Sequence, residues 1–234
     1  MPEGTVELLR SQLGFRYPHE AATVTPSKQT ATGLKGRQVD QEVAENTQVS
    51  RRVTARKRPR SRDAGDRGVI YGTIIHKVMQ YLHYEKCFSE EEIMEQIDRM
   101  TEKGLLTKDE AQRVQVGEIL RFFDTDLGRM LRGGADCLRE YKFSVLVDGH
   151  KFSEALRGEK ILLQGVVDCA IIEDDKITVI DFKTDMVTED TASAVAERYR
   201  YQVDAYSDAL SRVFEKKVED RYLYFFRIGR YVKL

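Results

Sequence analysis

Two apolar runs, each interrupted near its end by an aspartate, constrain this chain more than any other feature. Residues 161–172 form a long apolar run containing Gln164-Gly165-Val166-Val167-Asp168, and residues 177–182 read Ile-Thr-Val-Ile-Asp-Phe, with Lys183 next. Asp174 and Asp175 lie between them as turn formers, so the runs predict paired antiparallel strands. A further alternating run at 141–147 and the turn pair Asp148-Gly149 extend this to a three-stranded meander. Side chains alternate along a strand, which puts Asp181 and Lys183 on one face and Phe182 on the other. The hairpin then draws Asp168 alongside them.

The remaining signals place helices before and after these strands. Thr73 reads as an N-cap for a helix over 74–88, and Ser89 followed by Glu90-Glu91-Glu92 opens a second to about Lys103. Thr107 starts a third to about Phe123, and 126–132 forms a fourth, stopped by Gly133-Gly134. A long helix over 188–214 carries Val195, Tyr199, Gln202, Val203, Tyr206 and Leu210 along its inner face, and strands at 221–226 and 231–233 follow. This order predicts an α/β fold with a mixed central sheet flanked by helices.

Residues 1–68 read differently. A short amphipathic helix is expected over 3–13, then a polar arm or linker through residue 68, with seven basic residues in the twelve from Arg51 to Arg62. That basic run suits either a phosphate backbone or plain solvent. The globular domain is expected over 69–234. Globally, 38 basic and 39 acidic residues nearly cancel, so any nucleic-acid signal has to be local. No apolar stretch approaches the length of a membrane span, and the opening Met-Pro-Glu-Gly is not a signal peptide. Cys87, Cys137 and Cys169 form no CxxC pair and are too few for a four-cysteine iron–sulfur cluster. A cytoplasmic setting and no membrane partner are therefore expected.

Two carboxylates would repel an anionic phosphodiester unless they hold a divalent cation that neutralises and polarises it. A neighbouring lysine suits positioning or deprotonating the attacking water and offsetting charge in the transition state. Asp168, Asp181 and Lys183 therefore point to metal-assisted phosphodiester hydrolysis with Mg²⁺ or Mn²⁺. The same residues also fit strand-end caps with a surface ion pair.

The motifs resemble those of the PD-(D/E)xK nuclease superfamily in its RecB-like branch. Val179-Ile-Asp181-Phe-Lys183-Thr-Asp185 resembles the core motif, and Gln164-Gly-Val-Val-Asp168 the acidic motif before it. Gly72-Thr-Ile-Ile-His76 resembles the first motif, Arg139-Glu140-Tyr-Lys-Phe143 the RExxF strand, and Gln202-Val-Asp-Ala-Tyr206 the QxxxY element. Within the branch, the AddAB family of helicase–nucleases is most similar. The resemblance implies a restriction-endonuclease-like fold and a DNA exonuclease acting in double-strand-break repair and recombination in the bacterial cytoplasm.

It also implies a catalytic set of Asp168, Asp181, Lys183, Gln202 and Tyr206. The implied metal ligands are His76, Asp168, Asp181 and the Phe182 backbone carbonyl, with Glu140, Arg198 and Arg200 as candidate DNA contacts; Glu140 also suits assisting the metal site, orienting Lys183 or an ordinary strand edge. The implied partners are a DNA single strand leaving a helicase motor, the helicase part of the same polypeptide, and a second, AddB-type protein. This sequence contains no GxxxxGK[ST] phosphate loop, so no ATP site is expected in it. A catalytically silent DNA-binding or partner-docking module of the same fold is the alternative.

Overall fold

The computed structural model describes residues 13–14, 26–34, 63–151 and 154–234. The helix expected over 3–13 and the basic stretch 51–62 lie outside the described residues, apart from Leu13. Two compact units emerge, one of Thr30–Phe143 with Gly165–Leu234, the other of Met1–Gln29 with Ser144–Gln164.

Six helices and six strands frame the described chain. The helices are α1 (Asp63–Tyr81), α2 (Glu90–Glu102), α3 (Lys108–Arg113), α4 (Val116–Phe123), α5 (Asp126–Arg132) and α6 (Glu189–Phe214). The strands are β1 (Lys28–Thr30), β2 (Cys137–Asp148), β3 (Lys160–Ile172), β4 (Lys176–Lys183), β5 (Lys217–Phe225) and β6 (Arg230–Lys233). They form one mixed sheet in the order β1-β3-β4-β5-β6, with β2 also paired to β3. The expected α/β architecture is therefore the observed one.

Strand β4 is antiparallel to β3 and parallel to β5. A parallel neighbour requires a crossover, and α6 supplies it, packing across β4 and β5. On the other face, α1, α2, α4 and α5 share a core with Cys169, Ile171, Ile180, Phe182, Tyr224 and Phe226. Phe122 is the hub of that core, its ring centroid 4.8–6.3 Å from those of Phe123, Phe182, Tyr224 and Phe226. Asp181 lies between Ile180 and Phe182 in sequence, so the alternation that buries those two aims it toward α6.

Several boundaries differ from expectation. Helix α1 begins ten residues before Thr73, whose hydroxyl donates to the Val69 carbonyl 3.1 Å away instead of capping. It ends at Tyr81, not at residue 88: the amide of His83 donates to the buried Gln96 side chain, and a 3₁₀ turn at Tyr84–Lys86 follows. The single helix expected over 107–123 is two. Val114 is extended (ψ 125°) and nearly buried, while α3 buries no residue and α4 buries Glu118, Ile119, Phe122 and Phe123. Breaking the helix re-aims the second half at the core. The Ser89 and Thr107 caps form as expected, Thr107 in a complete capping box with Glu110. Lys28–Thr30, expected within the arm, is a strand.

In the smaller unit, the Gly149 amide donates to the Glu159 carbonyl at 2.7 Å and that of Leu162 to Ser27 at 2.9 Å. Gln164 donates to the Ser144 hydroxyl at 2.9 Å.

Candidate active site

The β3–β4 ladder runs as far as the pair Cys169↔Ile180 and then gives way to a side chain. The amide of Phe182 donates to Asp168 Oδ2 at 2.7 Å, a buried contact. Asp168 thus takes the place of a backbone acceptor where the strands part, which fixes its other oxygen. That oxygen, Oδ1, lies 3.3 Å from His76 Nδ1, and Glu140 Oε1 lies 3.4 Å from the same nitrogen. Among the described residues, His76, Glu140 and Asp168 form the one group of three whose ligand atoms lie within 4.8 Å of one another.

Each side chain arrives from a different element for a local reason. His76 sits in the last third of α1, one turn after Gly72, where a Cβ would meet the Thr184 hydroxyl at 3.0 Å. The absence of a side chain at Gly72 lets α1 approach the segment that follows β4. Glu140 lies within β2 but adopts a left-handed backbone (φ 49°), one of two non-glycine residues to do so among the described residues. Such a conformation costs about 1–3 kcal/mol and persists only where surrounding contacts hold it. It breaks the strand's alternation, so that Arg139 bonds the Leu82 carbonyl and Glu140 faces His76, both next to α1.

Asp181 is almost wholly buried and lies beside this group. Its Oδ2 is 2.7 Å from Lys183 Nζ, a buried ion pair. Its Oδ1 takes a 3.4 Å contact from Gln202, whose amide also reaches the Tyr206 hydroxyl. The Gln202 Oε1 is buried without a hydrogen bond. An unpaired buried amide oxygen beside a buried carboxylate is costly for a fold and marks a candidate ligand-binding site. Lys183 is held from its far side by the Tyr199 ring, 4.3 Å from Nζ, and the Tyr199 hydroxyl donates to Asp185 at 2.7 Å.

Charge is distributed unevenly. Burial disfavours the His76 imidazolium, but the Asp168 carboxylate and then Glu140 outweigh it and raise its pKa to about 10. Burial opposes ionisation of Asp168, yet His76 and Lys183 hold its pKa below the usual range. Asp181 goes the other way: burial raises it to about 6, with Lys183 pulling against burial and Asp168 adding to it. Lys183 stays charged because Asp181 and Asp168 overcome its desolvation.

The structure thus brings together His76, Asp168, Asp181, Lys183, Gln202 and Tyr206, and puts Glu140, expected as a DNA contact or an aid to the metal site, in the group around His76. Arg198 is exposed on α6, and Arg200 is engaged by both oxygens of Glu197. The Tyr199–Asp185 brace for Lys183 is not legible in the sequence, where Tyr199 reads as an inner-face residue and Asp185 as a loop former.

Residues 48–231 match the model of the PD-(D/E)XK nuclease superfamily. The ATP-dependent helicase/nuclease subunit of Bacillus cereus (strain Q1) is 34% identical over 242 residues, covering 97% of this chain and 19% of that protein. The protein of the same description from Alkaliphilus metalliredigens is 35% identical over 234 residues, with the same coverage. The chain therefore spans about a fifth of the length of these relatives. The crystal structure of SSO0001 is alike at a TM-score of 0.34 and 14% identity over 73% of this chain and 77% of that one, too slight to bear on the fold. With a superfamily match across most of its length and its motif residues gathered at one point, the chain belongs to the PD-(D/E)XK nuclease superfamily.

Proposed function

We propose that this domain hydrolyses DNA phosphodiester bonds with the help of a divalent cation, Mg²⁺ or Mn²⁺. The observation that carries the reading is the convergence of His76, Glu140 and Asp168 beside the Asp181–Lys183 pair. One nitrogen and several carboxylate oxygens suit a hard or borderline divalent ion. The Gln202 Oε1, buried without a hydrogen bond beside the Asp181 carboxylate, fits such a site as well. His76, Asp168 and Asp181 would hold the cation, with Glu140 and the Phe182 carbonyl completing its surroundings. When bound, the cation supplies Lewis-acid polarisation of the phosphate and lowers the pKa of a coordinated water.

The chain's own residues account for the rest. Three carboxylates against the Lys183 ammonium and the His76 imidazolium leave the site net negative, and a divalent cation held in place of the His76 proton would neutralise it for the approach of a phosphodiester. Lys183 is charged, so it offsets charge on the pentacovalent transition state and orients the attacking water instead of serving as a base. Gln202 and Tyr206 fix the Asp181 carboxylate through one amide. Tyr199 and Asp185 keep Lys183 from swinging away.

The relatives are named as helicase/nuclease subunits, and a role in double-strand-break end processing follows by analogy. There the AddA-type helicase part would feed a single strand to the domain, and an AddB-type protein would complete the complex. Exonuclease action belongs to that assembly, in the bacterial cytoplasm.

The test is degradation of end-labelled single-stranded DNA with Mg²⁺ or Mn²⁺. Metal-dependent cleavage lost in both Asp181→Ala and Lys183→Ala supports the reading; cleavage that survives both removes it.

A further inference from the structure

Away from the carboxylates, α1 and α2 border a cavity of about 410 Å³ whose lining includes Tyr81, Arg99, Lys103 and Arg139. That volume lies in the range of sites for small ligands (~300–1,000 Å³). Three of its lining residues carry full positive charge and none is acidic. Arg99 is tethered by Glu95 at 3.1 Å, while Lys103 is exposed and has no ion-pair partner among the described residues. The Arg139 guanidinium lies over the Tyr84 ring at 4.6 Å and donates to the Leu82 carbonyl, which leaves further N–H donors of its fork for a ligand. Tyr81 is 43% exposed, so its ring is open to a ligand.

Two covalent paths tie this cavity to the metal-ligand group. Along α1, Gln80 lies one turn beyond His76 on the same face, ~6 Å along the axis, and Tyr81 follows it round the helix. Along β2, Arg139 immediately precedes Glu140, and the left-handed turn at Glu140 sends both side chains toward α1.

We propose that this cavity is a subsite for the DNA single strand, reached from the catalytic centre along α1 and β2. Lys103, Arg99 and Arg139 hold a backbone phosphate, and Tyr81 lies against a base. This rests on the nuclease reading above. Recognition by charge and stacking is indifferent to sequence, as a strand-degrading site requires.

Fluorescence anisotropy of a labelled oligothymidylate on this chain, without divalent metal and across a salt series, tests the subsite. Lys103→Ala should weaken binding severalfold and flatten the salt slope by about one phosphate contact. The Arg99→Ala/Lys103→Ala double variant should weaken binding by about tenfold or more at low salt, and Tyr81→Leu by about fivefold. In the cleavage assay the same changes raise KM for short oligonucleotides far more than they lower kcat, and Lys103→Arg restores most of the loss. These side chains are exposed, so the variants should fold. Affinity and salt slope equal to wild type in the double variant would overturn the subsite. Failure of the wild-type chain to cleave would overturn the nuclease reading, and the anisotropy comparison would still decide the subsite.

Discussion

His76 is the residue whose environment says most about how the site is loaded. In the metal-free chain its imidazole is protonated well above neutrality, held by Asp168 and Glu140. A group whose folded pKa is raised contributes stability that is fully present below its unfolded value, near 6.5, and is lost as pH rises through about 10. A cation must evict that proton, so apparent metal affinity strengthens as pH rises toward 10 and weakens again below about 6, where Asp181 takes up a proton. Titration calorimetry of Mn²⁺ near pH 8, in buffers of different ionisation enthalpy, should show about one proton released per metal. No buffer dependence would mean that His76 is not displaced from its proton. Glu140→Gln, which keeps the shape and removes the charge, should lower the His76 pKa, read by NMR titration, and weaken Mn²⁺ binding by about 10-fold or more. An unchanged His76 pKa would count against the Glu140 contact.

Among the elements, the short α4–α5 corner is the least forgiving. A Cβ built on Gly128 would lie 2.0 Å from the Phe122 carbonyl oxygen and 2.5 Å from the Phe123 Cα, both backbone atoms that cannot step aside. Gly128→Ala should cost about 2 kcal/mol or more in urea unfolding, at the upper end of overpacking effects; a loss under about 0.5 kcal/mol would show that the corner relaxes. By contrast, Thr107→Ala removes a cap on an exposed helix and should cost about 1 kcal/mol. The caps at Ser89 and Thr107, the apolar strands and the long amphipathic helix were all legible in the sequence, because each is set by neighbouring residues. What was not legible depended on distant partners. Thr73 reads as a cap until the helix is found to begin before it, and Val114 looks helical until the core claims it. Asp168, Asp181 and Lys183 could be paired from strand periodicity. Glu140 could not be added to the cluster by the same logic, because its left-handed backbone suspends the alternation on which that logic rests.

Across the whole molecule, one aromatic cluster and one polar site share a strand. Phe182 packs on Phe122 and Phe226, while the residues on either side of it, Asp181 and Lys183, carry the chemistry. Phe122→Ala should therefore cost about 3–5 kcal/mol and, in the fraction still folded, lower cleavage by misplacing Asp181. Unfolding with unchanged activity per folded molecule would uncouple the two. Metal should also act on the whole domain: at 100 times its Kd, bound Mn²⁺ adds about 2.7 kcal/mol to stability, seen as a rise in Tm that EDTA reverses.

The parallel pairing of β4 with β5 has a consequence for the order of events during synthesis. The reactive strand is complete at Lys183, yet its hydrogen-bonding neighbour is Lys217–Phe225, beyond the whole of α6. A ribosome has therefore translated the aspartate and lysine well before the partner that holds them in line exists. Long-range parallel pairing of this kind forms late. A nascent chain stalled just after residue 216 should leave β4 open to protease, and one extended far enough for residue 225 to clear the exit tunnel should not. Equal protection at both lengths would show that the hairpin with β3 is enough to set the strand. Otherwise the cutting edge of the domain is assembled only once its distal strand has emerged, so the growing polypeptide carries an incomplete, inert site while it is being made.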